Sequence, residues 1–395
     1  MESLIRQKID LIAECIFAKI QQPEKESYGL YSGEFGLLLF FFYYSKYSQN
    51  KKYVMLTERY AKRLSEQFIQ GTKLQSFYSG FSGILYLFDF LRENDFIDID
   101  VSNNQPALDN YLISQMRQDI QQQYYDFMHG ALGIGLYFLK QRTNTKWIHE
   151  LIKSLYQTAE KDSEDQSFKW KTIISHEHNL IGYNPSLSHG ISSIIIFLSR
   201  VVNSGKRDVI IMEMLSGAVN YVLSLQKDFT QFGSYFPHYL ITNHQVPVSK
   251  SRLAWCYGDL GIGLALWQAG KAIDNKGWKD KGLEILLQST KRKNLSDNFV
   301  IDAEICHGSA GIALIFRRMY LETTMNQFKE ATDFWIKQTL SFSEYEDGLV
   351  GFKTYMMGEW IGDYSLVTGI SGIGLVLMSY IADDLQNWDE MLLLS

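Results

Sequence analysis

Apolar residues recur along the chain in two helical patterns. In the first, isoleucines near the N-terminus are spaced three or four residues apart and so share one helical face: Ile5, Ile9, Ile12, Ile16 and Ile20. The segment from Val54 to Gln70 is also amphipathic. Five later stretches are candidates for the same pattern, starting near Leu108, Trp147, Val209, Trp278 and Phe328. This pattern predicts amphipathic helices with one buried face.

The second pattern is an apolar run that directly follows a Gly-x-x-Gly word, such as Ile312 to Phe316 after Gly308 and Gly311. A helix that is apolar nearly all round is buried on every side. In the fourth copy of the word, Ser193 takes the place of the second glycine. The seven copies begin at Gly33, Gly80, Gly130, Gly190, Gly258, Gly308 and Gly369.

The two patterns alternate, with 47 to 68 residues between successive first glycines, which leaves room for an outer helix in each interval. They predict an all-α fold, an α/α toroid of seven inner and seven outer helices that forms a single domain over residues 1–395. Glycines at the starts of the inner helices let backbones approach and leave free N–H groups at one end of the fold. The candidate chemistry is expected at that end.

Two intervals are long. Residues 228–251 hold two of the five prolines and several β-branched residues, which predicts a short irregular or β-like excursion. Residues 343–364 are rich in Gly, Tyr and Met, which predicts a long loop. His238 and His244 lie in the first of these segments and are expected at the surface.

Composition narrows the class of protein. A hydrophobic fraction of 46% and a charged fraction of 21% are typical of a soluble globular chain, and a net charge of −6 disfavours a nucleic-acid partner. The first residues lack a signal-peptide pattern, and no uncharged apolar run approaches a membrane span. The three cysteines, Cys15, Cys256 and Cys306, are too few for a disulfide scaffold. We expect a cytoplasmic protein.

Cysteine and histidine precede two of the glycine words. Cys256 lies two residues before Gly258, and Cys306 and His307 directly precede Gly308. Thiolates and imidazole are zinc ligands, and three of them leave the fourth position of a catalytic zinc ion open. The alternative is two buried cysteines and a core histidine, but their shared repeat phase favours a metal site. Cys15 is expected to be a packing residue.

Other polar residues also lie just before a glycine word. His189 and His129 each directly precede a glycine word, and Asp126 lies four residues before Gly130. An ordinary packing histidine and a carboxylate that caps a helix start are the alternatives for His189 and Asp126. Arg252, four residues before Cys256, is a candidate partner of a carboxylate. Tyr257 is a candidate for the wall of a pocket.

These words resemble the lanthionine synthetase C family, the lantibiotic cyclases. The resemblance covers nearly the whole chain and is most specific in Trp-Cys-Tyr-Gly at 255–258 and Cys-His-Gly at 306–308. It implies a toroid of seven helix pairs with a zinc ion held by Cys256, Cys306 and His307. It further implies His189 and Asp126 as acid/base groups, with Arg252 and Tyr257 nearby. His129 stands where the family pattern leads us to expect a non-basic residue.

The implied activity is zinc-dependent formation of lanthionine or methyllanthionine rings. Zinc would convert a peptide cysteine to its thiolate, which adds to dehydroalanine or dehydrobutyrine before the α-carbon takes up a proton. The implied substrate is a dehydrated precursor peptide. The sequence has no kinase or dehydratase signature, so a separate dehydratase is a candidate partner, as is an export transporter.

Three other functions compete with cyclisation. Related eukaryotic proteins suggest addition of glutathione or another small thiol to dehydrated proteins. A non-catalytic scaffold that binds the precursor peptide is a second alternative. A protein prenyltransferase-like subunit is a third alternative, although proteins of that class have an Asp among their zinc ligands and lack the glycine word.

Overall fold

Fourteen helices of 11 to 21 residues alternate between an outer and an inner kind in the described part of the chain. The computed structural model describes residues 1–22, 27–72, 74–96, 104–141, 145–175, 177–385 and 387–395. The outer helices are α1 (Glu2–Ile20), α3 (Lys51–Gly71), α5 (Gln105–Gln121), α7 (Thr145–Thr158), α9 (Val209–Ser224), α12 (Lys276–Ser289) and α14 (Asn326–Ser341). The inner helices are α2 (Glu34–Ser48), α4 (Phe81–Glu93), α6 (Ala131–Gln141), α8 (Ile191–Asn203), α11 (Asp259–Ala272), α13 (Ser309–Thr323) and α15 (Ile370–Ile381).

Burial separates the two kinds of helix as the sequence predicts. In α2, every residue from Phe35 to Tyr44 is buried, whereas α1 buries the isoleucine face that includes Ile5 and Ile20. Each inner helix starts directly after the first glycine of its word. None of the helices described is both long and apolar enough to cross a membrane.

The chain divides into two compact units. Unit 1 comprises Met1–Leu112 and Ile301–Ser395, and unit 2 comprises Ile113–Val300. In unit 1, α2 packs on α3 and α15, and α13 packs on α14 and α15. In unit 2, α11 packs on α12 and α8, and α8 packs on α9. A single domain over 1–395 stays a prediction.

The described residues of unit 2 form two small antiparallel sheets. One pairs β1 (Glu160–Lys161) with β2 (Phe168–Lys169), and the other has the strand order β3 (Thr172–Ser175), β4 (Leu180–Tyr183) and β5 (Leu240–Ile241). β5 lies in the excursion at 228–251, after a one-turn helix, α10 (Phe229–Phe232), and next to a bridge between Pro237 and Lys250. The predicted β-like excursion is thus confirmed, whereas β1 to β4 were not predicted.

In unit 1, an antiparallel hairpin of β6 (Thr354–Met356) and β7 (Glu359–Ile361) lies within the segment predicted as a long loop. Its Trp360 ring lies beside Tyr345 and Tyr355, with ring centroids 5.4 and 5.3 Å away. These short strands are held by local pairing and aromatic contacts.

A buried ion pair anchors the excursion to α11. The Asp259 carboxylate, fully buried at the start of α11, accepts hydrogen bonds from the N–H groups of Tyr235 and Phe236, each at 3.0 Å. Arg292 donates to the same carboxylate at 2.9 Å and to the Ser251 carbonyl at 3.0 Å. Removing one partner of such a pair would leave an uncompensated buried charge. The excursion therefore has a fixed attachment next to the Trp-Cys-Tyr-Gly word.

The segments before the inner helices share one loop. In six of the seven described repeats, the N–H of the first helical residue donates to the carbonyl seven residues earlier, at 2.7 to 3.1 Å. The donor–acceptor pairs are Glu34–Ser27, Phe81–Leu74, Ala131–Tyr124, Ile191–Asn184, Ser309–Asp302 and Ile370–Asp363. A Cβ atom at Gly190 would lie 1.9 Å from the Asn184 carbonyl oxygen, so the closed loop requires a glycine. In the remaining repeat, Gly258 has φ +94°, which also favours glycine.

Candidate functional site

Two side-chain positions in the shared loop are linked by a hydrogen bond. We number them backward from the first glycine of each word, as positions −4 and −1. Where position −4 is Asp126, Ser186 or Glu304, its side-chain oxygen accepts the backbone N–H of position −1, as in an N-terminal cap. The distances are 2.8 Å for Asp126 and His129, 3.1 Å for Ser186 and His189, and 3.0 Å for Glu304 and His307. The loop thus presents an imidazole at position −1 in three repeats.

In unit 2, His189 and Asp126 form a pair. Asp126 Oδ2 lies 2.6 Å from His189 Nδ1, and the carboxylate is buried while the imidazole is 31% exposed. Burial alone would lower the pKa of His189, but the hydrogen bond and charge of Asp126 and the charge of Cys256 raise it above its ordinary value. Because Nδ1 faces Asp126, Nε2 is the nitrogen left for a substrate.

His129 lies beside this pair, and its backbone N–H donates to the Asp126 carboxylate. Its ring is nearly parallel to that of His189, with centroids 5.9 Å apart. Burial lowers the pKa of His129, and the nearby His189 lowers it further, against the opposing charge of Asp126. His129 is therefore less suited than His189 to carry a proton at neutral pH.

Tyr257 continues the row of rings. Its ring centroid is 6.2 Å from that of His189, and its hydroxyl accepts a hydrogen bond from Asn184 Nδ2 at 3.2 Å. It also stacks on His238, with centroids 4.3 Å apart and planes 2° apart. His238, expected at the surface, is half-buried here, whereas His244 is exposed as expected. The Tyr257 ring thus has two imidazole neighbours, His189 and His238.

Arg252 is half-buried in unit 2 and makes no ion pair with Asp126, which bonds to His189 instead. Burial and the Arg252 charge together lower the pKa of His238 to about 4. The imidazole of His238 is consequently neutral at neutral pH, and Arg252 is a nearby cation.

Cys256 connects the Trp-Cys-Tyr-Gly word to the His189 loop through its backbone. The carbonyl of Cys256 accepts hydrogen bonds from the N–H groups of Leu187 and Ser188, at 3.1 and 3.3 Å, and from the Ser188 hydroxyl at 3.2 Å. The residue is buried and forms no disulfide. The backbone of Cys256 is therefore bonded to the loop that carries His189, and Tyr257 is the next residue in the chain.

In unit 1, Cys306 and His307 are half-buried in the loop before α13. The N–H groups of Ile305 and Cys306 donate to the Val367 carbonyl at 3.0 and 2.9 Å, which fixes this loop against the one before α15. Cys306 forms no disulfide. The two residues lie outside a regular helix, so the divergence imposed on helical neighbours does not apply to their side chains.

Two buried carboxylates surround His307. Glu304 Oε1 lies 2.5 Å from His307 Nδ1, and Asp302, Glu304 and His307 offer ligand atoms within 4.8 Å of one another. Asp302 Oδ2 accepts the N–H of Tyr355 in β6 at 3.2 Å. Burial and the charge of Glu304 raise the pKa of Asp302 to about 6. Nearby, burial and the charges of Cys306, Asp363 and Glu304 raise the pKa of Tyr78 to about 12.

A model of the lanthionine synthetase C-like protein family matches residues 24–393. The chain belongs to this family. It is 26% identical over 351 residues to the nisin biosynthesis protein NisC of Lactococcus lactis subsp. lactis, a match that covers 81% of this chain and 77% of that protein. The resemblance seen in the sequence is therefore confirmed.

The fold is similar to that of a solved structure, nisin cyclase, with a TM-score of 0.76 and 21% sequence identity. The match covers all of this chain and 98% of that one. This similarity confirms the predicted fold class, an α/α toroid of inner and outer helices, and the sheets among the described residues are small.

The sequence-predicted site residues divide between the units. Unit 2 contains His189, Asp126, Arg252, Tyr257 and Cys256, and unit 1 contains Cys306 and His307. Within unit 2 the loop geometry brings His189 together with Asp126 and Tyr257. Sequence reasoning missed Glu304 and His238. Glu304 could have been found from its position four residues before Gly308, since Asp126 has the same relation to Gly130.

Proposed function

We propose that this protein is a zinc-dependent lanthipeptide cyclase, which adds cysteine thiols of a precursor peptide to dehydroalanine or dehydrobutyrine in the same peptide. Family membership and the likeness to NisC support this reaction class. The observation that carries the proposal is the short contact between His189 and Asp126, because the addition needs a proton donor. The reaction requires reduced thiols, which suits the cytoplasm.

Cys256, Cys306 and His307 are the residues we propose as zinc ligands. Two cysteines without disulfides and an imidazole are a donor set that zinc favours, and Glu304 contacts one of the two ring nitrogens of His307. A zinc ion held by three protein ligands would lower the pKa of a peptide thiol bound at the fourth position. The donor chemistry of this chain thus fits the metal.

His189 is the proposed general acid. As the new C–S bond forms, the electron pair of the double bond moves toward the adjacent carbonyl, and the resulting enolate takes a proton at Cα. The imidazolium keeps one proton on Nδ1, toward Asp126, and can deliver the other from Nε2. The thiol loses one proton and Cα gains one, so the product is an isomer of the substrate.

Arg252 and Tyr257 are proposed to stabilise the enolate. Arg252 is a cation close enough to His238 to lower its pKa, and the Tyr257 hydroxyl, which accepts a hydrogen bond from Asn184, can donate its own proton to an oxyanion. The stack with His238 restricts the Tyr257 ring. These residues would act on charge that develops only during the addition.

A pocket next to His189 and Asp126 offers a place for the peptide. Its wall includes Trp170, Lys171 and Thr172 from the sheet region of unit 2, together with Asn184. The wall combines an aromatic ring, a cation and hydrogen-bonding groups. We propose that it contacts residues that flank the dehydrated position.

The choice of thiol tests this function. The protein is incubated with zinc and a dehydrated peptide that contains cysteine, and in parallel with glutathione and a dehydrated peptide without cysteine. Cyclisation is expected to remove the alkylatable thiol of the first peptide without a change in mass. A glutathione adduct on the second peptide, with no ring in the first, would identify a small-thiol transferase. No reaction in either mixture would favour a peptide-binding scaffold.

Asp126→Asn is expected to move the alkaline limb of the kcat/KM profile to lower pH. A general acid must be protonated, so activity falls as pH rises through the pKa of His189, and Asp126 raises that pKa. Asparagine removes the charge, which lowers the pKa. We also expect kcat at neutral pH to fall about 10- to 100-fold. The measurement is the pH dependence of ring formation at saturating zinc, and an alkaline limb at the wild-type pH would contradict the assigned acid.

A further inference from the structure

The carboxylate of Glu304 holds His307 through two contacts. Its Oε1 lies 2.5 Å from the ring nitrogen Nδ1 and accepts the backbone N–H of the same residue at 3.0 Å. The Glu304 side chain has no exposed surface, whereas that of His307 is 25% exposed. A buried carboxylate is therefore directed at one nitrogen of a ring that reaches the surface.

The surroundings fix this carboxylate in place. Its other oxygen, Oε2, lies 3.4 Å from the Thr354 hydroxyl of β6, and the neighbouring Asp302 accepts the N–H of Tyr355 from the same strand. An acceptor at Nδ1 sets the tautomer of the ring, because the proton must lie on the nitrogen that faces it. In this tautomer the lone pair of His307 that can bind a metal lies on Nε2.

We propose that Glu304 is the positioning residue for His307 as a metal ligand. It holds the proton on Nδ1, directs Nε2 to the metal and, through its charge, makes the ring a stronger donor. In this role Glu304 acts through its contacts with His307. This inference rests on the proposed function, which makes His307 a zinc ligand.

The chain contains a matched contact for comparison. Asp126 has the same position before its glycine as Glu304, and it also lies close to an imidazole Nδ1, at 2.6 Å. Its partner is His189, which the proposed function makes an acid rather than a ligand. The two carboxylates therefore have similar geometry and different expected effects on zinc.

The experiment compares Glu304→Gln with Asp126→Asn by competition for zinc against a chromophoric chelator. The glutamine side chain would keep an oxygen for the His307 N–H but lose the charge. We expect zinc affinity to fall about 10- to 100-fold in Glu304→Gln and to change less than about twofold in Asp126→Asn. Equal affinities in wild type and Glu304→Gln would overturn the inference, as would equal weakening in both variants.

A second measurement requires no variant. In ¹⁵N spectra of the zinc-loaded wild type, His307 is expected to carry its proton on Nδ1 and the metal on Nε2. A metal-bound Nδ1 would overturn the inference and leave the zinc site intact. Wild-type protein that binds no zinc would instead overturn the proposed function, so the two failures are distinguishable.

Discussion

Replacement of His189 by alanine is expected to lower kcat about 100- to 10,000-fold while zinc content stays at the wild-type value. The hydrogen bond and charge of Asp126 raise the pKa of His189 above its ordinary value, which suits it as the source of the proton that reaches Cα. Alanine removes the proton donor but keeps the backbone N–H of residue 189, which donates a hydrogen bond to the Ser186 hydroxyl. Turnover is measured by mass spectrometry of alkylated products, with the enzyme-free reaction subtracted.

His129→Ala is the matched control. This histidine has the same position in the preceding repeat, and its ring lies 5.9 Å from that of His189, but its pKa is lowered by burial. We expect a loss in kcat of less than about tenfold, well below that for a general acid. Wild-type turnover in His189→Ala, together with a large loss in His129→Ala, would reassign the acid to His129.

Cys306→Ala is expected to abolish stoichiometric zinc while most of the helicity remains. A thiolate contributes both charge and a covalent share of the metal bond, which alanine cannot replace. The Cys306 N–H that donates to the Val367 carbonyl is kept in the variant, and the inner helices bury their apolar residues independently of the site. Elemental mass spectrometry gives the zinc content, and far-UV circular dichroism gives the helicity.

Cys15→Ala provides the comparison within the same chain. Cys15 lies on α1 and forms no disulfide, so its removal should leave about one zinc per chain. Cys256→Ala should behave like Cys306→Ala. Full zinc content in Cys306→Ala would eliminate this residue as a ligand and with it the proposed three-ligand site.

The alternation of helices could be predicted because its causes are local. Isoleucines on one helical face predict a helix that is buried on one side, and an unbroken apolar run predicts a helix that is buried all round. The structure shows these two kinds of burial in α1 and α2. The glycine words mark a loop in which a carbonyl leaves no room for a Cβ atom, as at Gly190. The phase of the candidate site residues followed from the same words.

The unpredicted parts depend on contacts between distant segments. β1 and β2 have two residues each, and Phe168 is buried where the sheet packs against α9, so no alternating run marks them. His238 lies in a polar, proline-containing stretch, and only its stack with Tyr257 gives it a place near the site. Glu304 differs from these parts, because its contact with His307 is local and its position four residues before Gly308 is visible in the sequence.

The closed loop before the inner helices separates architecture from chemistry. The second repeat has the same turn as the sixth, with Ser76 accepting the N–H of Ser79 at 3.1 Å where Glu304 accepts that of His307. Both loops are also closed by the hydrogen bond that spans seven residues, and the side chains at these positions differ. Single substitutions in this loop could therefore add, move or remove a general acid or a metal ligand without a change in the surrounding helices. Evolution of new reactions in such a protein would require few changes in its helices.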